Sequence, residues 1–353
     1  MDQPTPLGAW VADRYELVAE LHDNMPTGIT VADDGRIFVS FPRWGDDVPF
    51  TVGEIVDGVV RPYPDAAVNR WGEGDPTSQF VSVQSVVMDP VGHLWLLDTG
   101  APSFGAVRPG GAKLIEIDPA TDRIVRVIHP SDEAMTPTTY LNDVRFDFSR
   151  GEAGVAYITD SQPTGAIIVV DLASGESWAR LRGHSSTAAT DQFRAIVQGV
   201  VRPNYKVGAD GIALGSDGTR LFYCPLSSRR LYSVDTAALL DRDQDDDAVA
   251  GTVRDLGDKG ASDGLETDTA GNLYATAWEH SAVLRRTPAG QWSTVLHGGA
   301  LLWPDTLALA ADGYLYVTVN QLPRTPLFNG SDERVPPYLV IRVQVDASPV
   351  RLV

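Results

Sequence analysis

Six short apolar runs, each centred on an aromatic ring, recur along the 353-residue chain: Ile37-Phe38-Val39, Leu94-Trp95-Leu96, Ala156-Tyr157-Ile158, Leu221-Phe222-Tyr223, Leu273-Tyr274-Ala275 and Leu315-Tyr316-Val317. Five of them follow a glycine: Gly35, Gly92, Gly218, Gly271 and Gly313. Asp34, Asp217 and Asp312 make Asp-Gly pairs with three of these, the chemistry of a tight hairpin turn. Seven residues before each of the five glycines stands a small residue: Gly28, Ser85, Gly211, Gly264 and Thr306. The segment between reads as a strand, so each unit is strand, turn, strand.

A third and a fourth strand complete the unit. Lys113 to Ile117 leads through Pro119-Ala120-Thr121-Asp122 into Ile124 to Ile128, and Gly165 to Val170 and Ser281 to Arg285 begin similar pairs. Helical periodicity is scarce, with one short turn expected at Thr236 to Leu240. Six units of four antiparallel strands predict an all-β fold, a six-bladed β-propeller occupying residues 1–353 as one domain. The run Tyr15 to Leu21 lacks an inner strand of its own. It is expected beside Leu339 to Val345 as the outer strand of the last blade, closing the ring.

In such a blade, the loops entering the first strand and joining the second to the third lie on one face. The long segments Pro42 to Gly53, Asp65 to Val81, Thr99 to Ala112, Pro130 to Tyr140, His184 to Ala209 and Asn320 to Pro337 fall almost wholly in that class. Long loops on one end of a rigid scaffold usually build a binding surface. The partner is expected to be a small molecule. Against 28 Lys+Arg stand 47 Asp+Glu, a net charge of −19 without a basic run, which argues against nucleic acid and against an anionic membrane surface. No apolar stretch reaches the length of a membrane span. Met1 to Val11 lacks a leader pattern and Cys224 is the only cysteine, which together predict a cytoplasmic protein without disulfides. Abundant Asp, Ala and Arg with only three Lys suit a bacterial source.

The same face receives the residue before each small residue of the repeat: Thr27, Gln84, Asp210, Asp263 and Asp305, with Asn142 in the third unit. All six are polar and are expected around the central channel. Carboxylates this close need a cation, a basic ligand or raised pKa values. The oxygen set Asn142, Asp210 and Asp263 suits calcium or another divalent ion, and no organic cofactor is indicated. The competing reading is a water-filled channel whose carboxylates bond strand-end amides.

Several ordered motifs resemble the Yellow/major royal jelly protein family. They are Ser40-Phe41-Pro42-Arg43-Trp44-Gly45, His93 to Gly100, Leu141-Asn142-Asp143-Val144, Ala156 to Ser161, Trp303-Pro304-Asp305-Thr306 and Asn320-Gln321-Leu322. The resemblance runs from about Asn24 to Val345 and implies a six-bladed propeller. It also implies roles such as dopachrome conversion or amine binding, and it places Thr306 and Asn320 in an amine pocket. A more distant similarity is to gluconolactonase/SMP-30 propellers, whose metal is held by a Glu, two Asn and an Asp. Asn142, Asp210 and Asp263 match three of these positions, while Thr27 stands at the Glu position.

Other residues invite assignment. Arg43 and Trp44 can clamp and stack on a ligand, or anchor their loop. Of Glu279 and His280, at most one faces the channel as an acid or base. The remaining histidines show no metal spacing. Asp241 to Asp247 imitates the opening of an EF-hand but lacks its glycine and its final glutamate, so a solvated acidic loop is expected. The leading expectation is a metal-assisted enzyme on a small polar or aromatic metabolite, with Asp210, Asp263 and His280 catalytic. Thr27, Gln84, Arg43, Trp44, Asp305, Thr306 and Asn320 are expected to bind the ligand. Lactone hydrolysis and tautomerisation both fit. The alternatives are a non-catalytic binder of biogenic amines or small aromatic ligands, and a structural protein that uses its rim loops.

Overall fold

Each predicted strand–turn–strand unit forms the inner half of a four-stranded antiparallel sheet in the computed structural model, which describes residues 15–72, 74–202 and 205–353. The stretch Met1 to Val11 lies outside the described residues. Blade 1 comprises Ile29–Val31, Ile37–Ser40, Val52–Val56 and Val59–Pro62. Blade 2 comprises Val83–Met88, Leu94–Thr99, Ala112–Asp118 and Arg123–Ile128, and blade 3 Leu141–Asp147, Val155–Asp160, Ala166–Asp171 and Ser177–Arg180. Blade 4 is built from Ala209–Leu214, Arg220–Pro225, Arg230–Asp235 and Arg254–Asp258, and blade 5 from Leu265–Thr267, Leu273–Ala277, Ala282–Arg286 and Trp292–His297. Blade 6 takes Trp303–Leu309, Tyr314–Asn320 and Tyr338–Gln344, and its fourth strand is Glu16–Leu21. Glu16 pairs with Arg342 and Leu21 with Tyr338, so the two ends of the propeller share one sheet, as the pattern predicted.

The repeat has a packing reason. A Cβ added to Gly211 would lie 2.0 Å from the carbonyl oxygen of Asp263, and one at Gly264 would lie 2.6 Å from that of Asp305. The inner strands of adjacent blades meet backbone to backbone there, and only a small residue fits. The central aromatics Phe38, Trp95, Tyr157, Tyr274 and Tyr316 are buried between blades with the aliphatic side chains around them. Burial of such rings is the main favourable contribution to holding neighbouring sheets together.

Two elements depart from expectation. Thr236–Leu240 is the predicted short helix, but the acidic loop continues into a second one, Asp246–Ala250. Asp245 caps it by accepting from Ala248 N, and Asp246 and Asp247 lie in its first turn, where carboxylates are favoured. Within the long loop before blade 4, Ile196–Val197 and Val200–Val201 form a small hairpin that no periodicity announced. No helix among the described residues is long and apolar enough to cross a membrane.

Candidate functional site at the channel mouth

The inner strands begin irregularly, and the irregularity sets the site. Register shifts interrupt the ladder between Val83 and Ser85, Leu141 and Val144, Ala209 and Ile212, and Pro304 and Leu307. Gln84, Asn142, Asp210 and Asp305 sit inside these four bulges. A bulge frees a residue from the alternation of the strand and re-aims its side chain. These four, with Asp263, line one cavity of about 550 Å³. Trp44, Tyr140, Phe104, Leu226, Leu322 and Phe328 give it an aromatic and aliphatic wall.

The polar floor is electrostatically frustrated. Burial drives the Asp210 carboxyl up to about 7; its hydrogen bonds with Asp263 and Asn142 oppose that shift, and the charges of Asp305 and Asp143 add to it. Asp263 is pushed well above the ordinary carboxylate range by burial and by the Asp210 charge, against the bond it accepts from Trp303. Trp303 Nε1–H donates to Asp263 Oδ2 at 2.8 Å. Asp305 is raised too, by burial and then by the charge of Asp263. Among the described residues, no Lys or Arg side chain ion-pairs with any of the three. Below them, Arg145 Nη1 bonds Asp143 Oδ1 at 2.9 Å and Nη2 bonds Leu265 O at 2.8 Å. Ser85 Oγ adds a bond to Asp143 Oδ1 at 2.7 Å. The far end of the channel is crossed by the C-terminal segment, whose Leu352 O accepts from Phe148 N and whose Ser348 O accepts from Thr269 N.

The other predicted residues do not line this cavity. Thr27 is fully buried, its hydroxyl donating to Gln84 O at 3.0 Å. Arg43 spends its guanidinium on backbone: Nη1 on Phe80 O and Val81 O, Nη2 on Asn69 O, Nε on Val48 O. Of its two readings, the loop anchor is the one its contacts match. Thr306 Oγ1 donates to Asp305 Oδ1 at 3.2 Å and Asn320 Nδ2 to Asp305 Oδ2 at 2.6 Å, so both orient Asp305 from outside the cavity. His280 lines a separate surface groove with Arg229 and Glu279, the last two forming an ion pair at 2.7 Å. Cys224 is buried. Tyr140, Phe104, Phe328 and Ser161 line the cavity without a sequence signal beyond their places in or beside the long loops.

Two sets of side chains bear on a metal ion. Asn142, Asp210 and Asp263 are linked by side-chain hydrogen bonds, offer only oxygen in the ligating role, and form no ion pair among the described residues, although the buried Lys259 acts on Asp210 through its charge and Lys206 lines the same cavity. That donor chemistry fits a hard divalent ion. The other set, Asp89, His93 and Glu116, has ligand atoms within 4.8 Å of one another. Each already has a protein partner. Asp89 Oδ2 accepts from Trp95 Nε1, His93 Nδ1 meets Glu116 Oε1, and Glu116 Oε2 accepts from Arg126 Nε.

A family model described as major royal jelly protein matches residues 81–332. Protein yellow of Drosophila subobscura is 30% identical over 230 residues, covering 60% of this chain and 39% of the fly protein. The matched stretch thus spans about two fifths of the length of such relatives. Among solved structures, a gluconolactonase from Xanthomonas campestris superposes with a TM-score of 0.56 at 11% identity, covering 94% of this chain and 95% of its own. The calcium-binding protein regucalcin from Agrobacterium tumefaciens gives 0.52 at 14%, covering 95% and 98%. At these identities the two structures speak for the fold alone.

Proposed function

The chain belongs to the major royal jelly protein family, and on that premise we propose that its channel-mouth cavity binds a small polar or aromatic metabolite and acts on it as a metal-assisted enzyme. The observation that carries this reading is the cluster of Asp210 and Asp305, both buried, and the partly buried Asp263, all raised in pKa and none ion-paired to a Lys or Arg among the described residues. Such a cluster is costly to maintain and is typical of a site that awaits a positive charge.

Asn142, Asp210 and Asp263 would hold a divalent ion. When bound, it supplies Lewis-acid polarisation of a carbonyl or hydroxyl oxygen. The chain's own residues do the rest. Asp263 and Asp210 share a hydrogen bond whose proton is held the more tightly by Asp263; that proton is displaced when an ion binds, which leaves Asp305 as the carboxyl able to carry one. Asp305, fixed by Asn320 and Thr306, presents a second carboxyl at a constant angle. The rings of Trp44, Tyr140 and Phe328 exclude water from the apolar body of the ligand. Lactone hydrolysis and tautomerisation each need one positioned proton carrier and a polarised oxygen.

A second reading is favoured by the aromatic wall. An amine carried on a flat ring would place its ammonium among the carboxylates and its ring against Trp44 and Tyr140, giving a binding protein without catalysis. Thermal melts separate the two. Under the enzyme reading, calcium or magnesium raises the melting temperature of chelator-treated protein and Asp210→Ala abolishes the gain. Amines stabilising the protein while no divalent ion does would leave the binding reading in its place.

A further inference from the structure

Phe104 covers the cavity from its rim in an unusual way. Trp44 Nε1–H donates to the Tyr140 hydroxyl at 2.7 Å, which joins the two rings edge to edge into one platform. Phe104 stacks on both, with ring centroids 5.2 Å from Trp44 and 5.3 Å from Tyr140 and interplanar angles of 21° and 27°. The Tyr140 hydroxyl donates onward to Gln84 Oε1 at 2.8 Å, tying the platform to the polar floor. Yet Phe104 is 45% exposed as a residue, and its backbone lies in the left-handed region at φ 53°, directly after Ser103 at φ 54°. Two successive non-glycine residues in that region are strained, and such strain concentrates at ligand clamps. The segment is pinned by Ser103 N donating to Arg43 O at 2.7 Å and is flanked by Gly100, Gly105, Gly110 and Gly111. Glycines on both sides let it move as a unit.

We propose that Phe104 determines which ligands the cavity admits. Its ring holds the stacking position over Trp44 and Tyr140, and a ligand with a planar aromatic ring competes for that position by turning Phe104 outward. A planar ring recovers the stacking that Phe104 gives up. A saturated ring of similar size and the same charge fills the space without recovering it. This inference rests on the small-molecule reading of the cavity and adds the residue that selects among its ligands.

The test uses 2-phenylethylamine and 2-cyclohexylethylamine, which share an ammonium on the same tether and differ in ring planarity. Titration calorimetry on the full chain compares the parent protein with Phe104→Ala and Phe104→Leu. Because the competent state is only partly populated while Phe104 occupies the platform, its removal raises apparent affinity. About five- to twentyfold tighter binding of 2-phenylethylamine is expected in Phe104→Ala, with a change under about twofold for 2-cyclohexylethylamine. Phe104→Leu, which retains apolar bulk without a planar ring, is expected between the two and guards against a folding defect in the alanine variant. If Phe104→Ala binds 2-phenylethylamine no better than the parent, Phe104 is wall and not competitor, and the proposal fails. Equal gains for both amines overturn the planar selectivity. If neither amine binds any of the three proteins, this inference fails, while the metal-assisted reading is decided separately by the divalent-ion melts.

Discussion

Trp303 Nε1–H donates to Asp263 Oδ2 at 2.8 Å, and the Trp303 ring is itself stacked on Trp278 at 4.2 Å, so the carboxyl that shares a proton with Asp210 is held by a rigid aromatic pair. Burial and their mutual charge make the two carboxyls keep protons to higher pH than they would in an unfolded chain. The sign of the pH effect follows. Asp210 titrates near 3.9 when unfolded and at about 7 when folded. Between those values the native state binds more protons, so unfolding free energy falls as pH rises through that window. Metal-free Asp210→Asn is therefore expected to be about 2–4 kcal/mol more stable than the parent at pH 8, and nearly equal at pH 4. Urea melts in chelator at both values check this. A parent protein that gains on the variant as pH rises would refute the raised carboxyl.

Cation binding should invert that dependence. A divalent ion at Asn142, Asp210 and Asp263 must displace the protons these carboxyls hold, so its apparent affinity rises with pH. Calorimetric scans with and without calcium are expected to show a larger gain in melting temperature at pH 8 than at pH 5. Equal gains at the two pH values would put the ion elsewhere.

Asn320 tests how far the site depends on its support. Its amide donates to Asp305 Oδ2 at 2.6 Å and to Pro26 O at 3.1 Å, and its own Oδ1 accepts from Leu322 N. Asn320→Ala is expected to cost about 1–3 kcal/mol, because it leaves buried groups unpaired. It also removes a bond that lowers the Asp305 pKa, so Asp305 should hold its proton to still higher pH. NMR titration of the carboxyl carbons would register the upward shift, and an unchanged Asp305 titration would contradict it.

How much of this was legible beforehand depended on periodicity. The turn glycines, the buried aromatics and the small residues before them repeat because six blades solve the same packing problem, and that repetition predicted the propeller and its closure. It also indicated Gln84, Asn142, Asp210, Asp263 and Asp305, all of which line the cavity. Thr27 has the same place in the repeat, but its hydroxyl turns to Gln84 O and Ser40 Oγ in the wall between blades. Phe104 and Tyr140 stand outside the repeat, where no local pattern says which ring meets which. His280 was placed by loop class alone, and a short helical turn directs it to an outer groove. The Asp89, His93 and Glu116 group was equally hidden, since strand pairing assembles it.

Arg43 separates a ligand clamp from a loop anchor. Four backbone carbonyls, those of Val48, Asn69, Phe80 and Val81, depend on its guanidinium, and burial pushes its pKa down to about 10. Arg43→Met is expected to cost about 3 kcal/mol or more, since several buried acceptors lose their partner. The loss should appear in chemical denaturation. The ligand stoichiometry of the surviving folded protein should stay at the parent value.

Arg145 and Asp143 form the layer that separates the floor of the cavity from the far end of the channel. Both are buried, their ion pair is 2.9 Å long, and Glu266 adds a second carboxyl whose charge acts on the guanidinium. Removing one partner leaves an uncompensated buried charge, so Arg145→Met is expected to destabilise by about 3–5 kcal/mol. Removing both is a different perturbation, because two apolar side chains of similar volume need no partner. Asp143→Leu with Arg145→Met should thus recover at least half of that loss, even though Ser85 Oγ and Leu265 O lose their contacts. Urea denaturation of both single variants and the double variant gives the coupling energy directly. A double variant as unstable as the sum of the singles would mean that the two side chains do not act as a pair.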